Sequence, residues 1–147
     1  MAVNPARFAG GAAGQWRVTS QHAVAGDALP TVPFVAVRAV PDGADAPATW
    51  VLRGTNGHVR YSERAEVDAL AAKKASLDRP GATAAALIPI RKSEAWWALA
   101  QDERRRVMEA ESHHIAKSIA YLPAIARRLY HCRDLGEPFD FLTWFEF

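Results

Sequence analysis

The hydrophobic positions of this chain fall into three successive patterns. The first third carries short runs of Val, Thr and aromatic residues cut by Gly, Pro, Asp and Asn: "GQWRVTSQHAVAG", "TVPFVAVRAV" and "ATWVLRGTNG". Such runs bounded by turn residues predict three short strands. From Ser62 the spacing becomes helical. "SERAEVDALAAKKASLD" opens on Ser, has acidic residues early and lysines late, and repeats Ala65, Val67, Leu70 and Ala71 on one side, which predicts a capped helix ending near Pro80. A strand-like "ALIPIRKS" leads through Ser93 into "EAWWALA". The segment "DERRRVMEAESHHIAKSIAYL" then places Val107, Met108, Ile115, Ile119 and Leu122 in one apolar stripe, predicting the longest helix, with Pro123 as its exit. In the last stretch "AIARRLYHC" and "FDFLTWFEF" read as a hairpin around "RDLGEP", whose Gly136 and Pro138 mark a loop.

Strand geometry sorts the tail into faces, because side chains alternate with period two. Arg127, Leu129 and His131 share one face of the first strand, and Arg128, Tyr130 and Cys132 the other. On the second strand Phe141, Thr143, Phe145 and Phe147 lie opposite Leu142, Trp144 and Glu146. A pocket lined by one Arg, one Leu, one Thr and Phe from these faces is geometrically possible, and would be apolar with a single cation. The chain stops inside this apolar strand, which reads as a truncation of a single domain spanning residues 1–147.

Composition narrows the function classes. A chain of 147 residues, half of them hydrophobic, is about one domain with room for a core. Its formal charge of +2 is small and its basic residues are mixed with acidic ones, as in "QDERRRVMEAE", which argues against nucleic acid as a partner. Cys132 is the only cysteine, so there is no disulfide framework and a reducing, cytoplasmic home is expected, with no membrane-spanning run.

The chemistry-bearing residues admit more than one role. Adjacent helix residues diverge by about a hundred degrees, so only one of His113 and His114 can face a metal; both can equally be rim histidines of an amphipathic helix. A zinc set of His114, His131 and Cys132 lacks a known ligand spacing. Haem needs one protein ligand and an apolar surround, and is the better metal candidate. Arg127 reads either as a solvated strand-edge residue near Glu146 or Asp134, or as a permanent cation holding a small oxyanion. Trp96 and Trp97 suit a core or an interface.

"YSERAE", "IPIRKSEAWW" and "SHHIAKSIAYLPAIARRLYHCRDLGEPFDFLTWFEF" together resemble the chlorite dismutase family in its short, dimeric form, from about Trp50 to Phe147. The resemblance implies an α+β fold: a ferredoxin-like antiparallel sheet curled toward a barrel with helices outside, here without the family's last helix and strand. It implies a haem b enzyme that converts chlorite to chloride and dioxygen in a homodimer. By position, His114 becomes the proximal ligand of the haem iron and Arg127 the distal arginine that attracts chlorite and retains hypochlorite, with Leu129, Thr143 and Phe145 lining the distal pocket. Tyr61, Ile88 and Lys92 fall where the family contacts the haem propionates. Trp96 packs beside the haem and Trp97 toward the partner subunit. The carboxylate that would hydrogen-bond the proximal histidine lies beyond Phe147. Two alternatives stand within the same resemblance: a coproheme decarboxylase-like enzyme, whose distal pocket typically lacks this arginine, and a non-catalytic haem-binding remnant.

Overall fold

The computed structural model describes residues 4–39, 47–56 and 59–147. Its elements in chain order are β1 (Asn4–Gly11), β2 (Trp16–Arg17), β3 (Phe34–Ala39), β4 (Trp50–Asn56), α1 (Arg64–Ala72), β5 (Ala85–Ile90), α2 (Glu94–Ala98), α3 (Gln101–Arg105) running into a π-helical turn (Arg106–Glu111), α4 (His114–Ala120), β6 (Ala126–His131), a 3₁₀ turn (Arg133–Leu135) and β7 (Phe141–Glu146). Among the described residues the strands form one seven-stranded antiparallel sheet in the order β2-β3-β1-β4-β6-β7-β5. This is the expected α+β class. No helix of the described residues is long and apolar enough to cross a membrane.

The amino-terminal third departs from the sequence reading, which gives three strands where the structure has four. The missed strand, β1, lies between β3 and β4, pairing Phe8 with Val37 on one side and with Leu52 on the other. Its sequence, "NPARFAGG", is built, apart from Phe8, largely of Asn, Pro, Ala and Gly, which strands ordinarily avoid. Packing explains the exception: a Cβ added to Gly10 would come within 2.2 Å of the Trp50 indole, so only glycine lets that ring lie on the strand. By contrast, "GQWRVTSQHAVAG" contributes just two residues of strand, while "TVPFVAVRAV" and "ATWVLRGTNG" become β3 and β4. Val40 and Gly57, the ends of those two predicted strands, lie outside the described residues.

The chain divides into two compact units, Met1–Gly57 with Tyr130–Phe141, and His58–Leu129 with Leu142–Phe147. The first is centred on Phe8, fully buried, whose ring meets Tyr130 edge-on at 5.3 Å. Beside it Gly54 admits the close approach of Tyr130 and Cys132, to whose side chains a Cβ there would come within 2.6 and 2.9 Å.

In the second unit the helices are shorter than the sequence predicts. α1 begins after Glu63, whose N–H is capped by Glu66 Oε2 at 2.8 Å, and ends at Ala72 rather than near Pro80. Ser62, the expected cap, instead donates to Arg60 O. The long helix expected over residues 102–122 is broken. Ser112 Oγ donates to the carbonyls of Val107 and Met108 (2.9 and 2.8 Å), offering the backbone an alternative partner. His113 then turns left-handed, with φ 52°, and Glu109 Oε2 accepts from Ile115 N at 2.8 Å to start α4 as a new helix. β6 and β7 form as the tail pattern predicts, with Gly136 left-handed in the loop between them (φ 70°).

Candidate functional site

The second unit contains Tyr61, Ile88, Lys92, Trp96, Trp97, His113, His114, Arg127, Leu129, Thr143 and Phe145, the residues singled out from the sequence. Their backbones are fixed by a small set of polar ties. Ser93 Oγ accepts from Trp96 N at 3.2 Å and caps α2, which sets Trp96 and Trp97 shortly after Lys92 in the short link from β5. Arg79 donates to the carbonyls of Pro123 (3.1 Å) and Ala124 (2.8 Å), and Arg128 to Ala75 O (2.9 Å), so the segment after α1 holds the chain on both sides of Arg127. Glu146, only 2% exposed, takes Trp144 Nε1–H on one oxygen (2.8 Å) and Asp78 N–H on the other (2.6 Å). Those bonds pin one face of β7: Leu142, Trp144 and Glu146 are buried, whereas Phe145 and Phe147 on the opposite face are progressively more open. Burial therefore alternates only toward the end of β7; Phe141 and Thr143 on the opposite face are buried as well. Arg79, Arg128 and Glu146 escape sequence reasoning as support residues, because their partners are mostly backbone groups that leave no residue-type signal.

His113 and His114 are separated by the break in the helix, not by a hundred degrees of one continuous helix. His113 is the left-handed residue at the kink, and its N–H donates to Glu109 O. His114 opens α4, directly after His113, which caps the helix without a side-chain hydrogen bond. The His114 pKa is lowered, first by loss of hydration, although the residue as a whole is exposed, and then by the positive charges of Arg127 and Lys92; Glu109 opposes them. A neutral imidazole with a lone pair to offer is the form that binds a metal. A π-helical turn and a left-handed non-glycine residue next to such a side chain are features that gather at functional positions.

Arg127 is partly buried, and burial pushes its guanidinium down from the ordinary value, though an arginine remains charged. Among the described residues it makes no side-chain hydrogen bond or ion pair. Leu129 is likewise partly buried, Thr143 is 4% exposed and Phe145 is intermediate, so the strand residues grouped with Arg127 are apolar apart from one hydroxyl.

A third cluster surrounds Trp96. Its ring meets Tyr61 edge-on at 6.0 Å, and Lys92 Nζ lies 4.4 Å from its centroid. Trp96 is buried, yet its indole N–H has no hydrogen-bond partner among the described residues. A buried donor left unmatched is unfavourable, and with an ammonium and a phenol beside it the cluster would suit a carboxylate. Tyr61 adopts φ 60°, and Ile88 is 46% exposed, an aliphatic side chain open on β5. No group of three potential metal ligands occurs among the described residues, so a zinc set of His114, His131 and Cys132 has no structural support.

No family model matches the chain. Over 60 residues it is 35% identical to the chlorite dismutase of Ideonella dechloratans, a match covering 41% of this chain and 20% of that protein. The crystal structure of dimeric chlorite dismutases from Nitrobacter winogradskyi is 54% identical and superposes with a TM-score of 0.86, covering 97% of this chain and 80% of that one. A mutant chlorite dismutase from Candidatus Nitrospira defluvii is 30% identical with a TM-score of 0.55, covering 68% of this chain and 40% of that one. The chain thus spans a fifth of the curated relative and four fifths of the Nitrobacter chain. Identity of this level, over nearly the whole chain and on the same fold, means that the protein belongs to the chlorite dismutase family.

Proposed function

We propose that this protein is a haem b enzyme that converts chlorite to chloride and dioxygen, with His114 as the iron ligand and Arg127 as the distal catalytic residue. The observation that carries the reading is the unmatched guanidinium of Arg127 among apolar strand residues. A charge drawn partly out of water without a counter-charge is unfavourable, and an anion entering beside it relieves that cost. Chlorite is such an anion, small enough for one planar fork of donors.

The residues present fit haem. His114 offers an imidazole kept neutral by its surroundings. Trp96, Lys92 and Tyr61 offer donors for the two carboxylates of a porphyrin edge, and the unmatched Trp96 Nε1–H is the structural reason to expect an acceptor there. Ile88 presents apolar surface to a flat ring. Haem, when bound, would supply the redox-active iron needed to take an oxygen from chlorite and form dioxygen. Arg127 would draw chlorite in and hold the hypochlorite left after the first oxygen transfer, so that it is not lost to solvent before chloride and dioxygen leave. Leu129 and Phe145 would exclude water around that anion, and the Thr143 hydroxyl would be the one neutral donor near it.

The protein is further read as a homodimer with Trp97 near the interface and as cytoplasmic. The Nitrobacter relative is described as dimeric, and Trp97 is only half-buried within the chain. Light scattering tests the assembly: a dimer mass is expected.

The activity is tested by reconstituting the protein with haem b, adding chlorite and following oxygen with an electrode. One dioxygen per chlorite consumed is the expected result. A haem-loaded protein that releases no oxygen overturns the assignment, and conversion of coproheme to haem b with peroxide would redirect it to propionate removal.

A further inference from the structure

Arg104, Arg105 and Arg106 form one run of charge in the sequence, but the fold gives them different surroundings. Arg106 is exposed, with Glu111 3.9 Å away. Arg104 is half-buried and uses all three of its nitrogens: Nε–H donates to Trp96 O (3.1 Å), Nη2–H to Trp97 O (2.6 Å) and Nη1–H to the Tyr61 hydroxyl (3.2 Å). The guanidinium also lies 5.1 Å from the Trp97 ring centroid. It therefore joins the Leu99 N–H on Trp96 O, adds a donor to Trp97 O at the end of α2, and ties both carbonyls to Tyr61. A guanidinium carries donors only, so the phenol oxygen accepts in this contact and its own proton remains to be given elsewhere. The Tyr61 backbone is held as well. Arg105 Nη1–H donates to Tyr61 O and is itself gripped by Glu66 at 2.8 and 3.0 Å, which helps keep Tyr61 in a left-handed conformation that a non-glycine residue does not retain unaided.

We propose that Arg104 is a positioning residue for the carboxylate end of bound haem: by donating to Tyr61 Oη and to the Trp96 and Trp97 carbonyls, it fixes Tyr61 as a hydrogen-bond donor in one cluster with Trp96 and Lys92. The proposal rests on the haem reading above. Arg104 itself does not contact the cofactor; its effect passes through Tyr61 and Trp96.

The experiment is Soret titration of the full-length apoprotein with haem b and, separately, with haem b dimethyl ester, which lacks free carboxylates. Wild type, Arg104→Met, Tyr61→Phe and the double variant are compared. Loss of a hydrogen bond to a charged group corresponds to roughly ten-fold or more in affinity. Each single variant is expected to weaken haem b binding by about that factor, the double variant by no more than the larger single effect, and all four proteins to bind the ester alike. Unchanged haem b affinity in Arg104→Met, multiplying effects in the double variant, or parallel loss of ester binding would each overturn the proposal, the last by showing a general structural role. Failure of the haem reading looks different: wild type would then show no Soret band that depends on His114, for either porphyrin, and the role of Arg104 would fall with it.

Discussion

The two compact units differ in how completely their polar groups are matched. In the first, Arg53 pairs with Glu137 (3.7 Å), Arg133 with Asp140 (3.3 Å), and Cys132 N–H with Asp140 O (2.9 Å), around a core led by Phe8 and Leu52. The buried atoms left without hydrogen bonds there, Arg7 Nε and His131 Nδ1, belong to residues engaged in other ways. In the second unit Arg79 Nε is likewise an unmatched atom of an otherwise engaged residue, but among the described residues three side chains there make no hydrogen bond at all: the indole N–H of Trp96, the guanidinium of Arg127 and the imidazole of His114. Matched polar groups around an apolar core are what stability requires, and unmatched donors among apolar neighbours are what binding requires. The first unit therefore reads as scaffold and the second as site, and substitutions in each should fail in different ways.

The largest contrast is expected within the second unit. His114→Ala should abolish stable haem binding while His113→Ala leaves it largely intact, since His113 is the left-handed residue of the kink whereas His114 opens α4 with a partly desolvated imidazole near Arg127 and Lys92. Soret spectra of the two reconstituted variants check this, and equal spectra would break the ligand assignment. A scaffold substitution should do the reverse. Phe8→Ala removes a fully buried ring and its edge-on contact with Tyr130, which corresponds to about 3–5 kcal/mol of stability. Urea unfolding should show that loss, while whatever protein remains folded should still give the His114-dependent Soret band.

Arg127 sharpens the comparison from the side of rate. Removing one preorganised charge beside a developing anion typically costs about a hundred- to a thousand-fold in turnover. Arg127→Ala is expected to lose chlorite turnover on that scale and to inactivate sooner, with haem occupancy kept. Arg127→Lys should restore attraction of the anion better than its retention, because a point charge lacks the planar fork. Oxygen yield per chlorite, measured together with chlorination of an added scavenger, separates attraction from retention. Identical rates, yields and lifetimes in all three proteins would remove Arg127 from the chemistry.

How much of this was legible in the chain follows the same division. The tail hairpin could be read from its two apolar runs around Gly136, although burial does not separate the faces of β7, since Phe141 and Thr143 are buried along with Leu142, Trp144 and Glu146. β1 could not, because "NPARFAGG" has no strand signal of its own; its place between two partners, with Trp50 over Gly10, overrides propensity. Nor could the break before α4, which depends on Ser112 and Glu109 competing for backbone groups across several residues. At the site, the residue types of His114 and Arg127 pointed to chemistry and the family resemblance chose their roles. The guanidinium ties of Arg104 to Tyr61, Trp96 and Trp97 were invisible, since a half-buried arginine bound to carbonyls has the same letter as a solvated one.

The smallest expected effect tests whether the unmatched groups of the second unit feel one another. The His114 pKa lies below its ordinary value, through desolvation first and then through Arg127 and Lys92, with Glu109 acting in the opposite sense. In the unfolded chain the imidazole takes up its proton near the usual value of about 6.5. Between the two values the unfolded chain holds a proton that the folded chain has released, so stability rises with pH across that window and is lost as pH falls below the unfolded value. The apoprotein should therefore lose more thermal stability between neutral and mildly acidic pH than His114→Ala does. Arg127→Leu should shrink the acid loss by removing a like charge facing the imidazole, and Glu109→Gln should deepen it by removing the opposing one. Melting temperatures of the four apoproteins at a neutral and a mildly acidic pH, backed by an NMR titration of the His114 ring, measure both signs. If Arg127→Leu leaves the acid loss as it was, the cation and the imidazole are not electrostatically linked, and desolvation of the ring alone must set the state in which it would meet a metal.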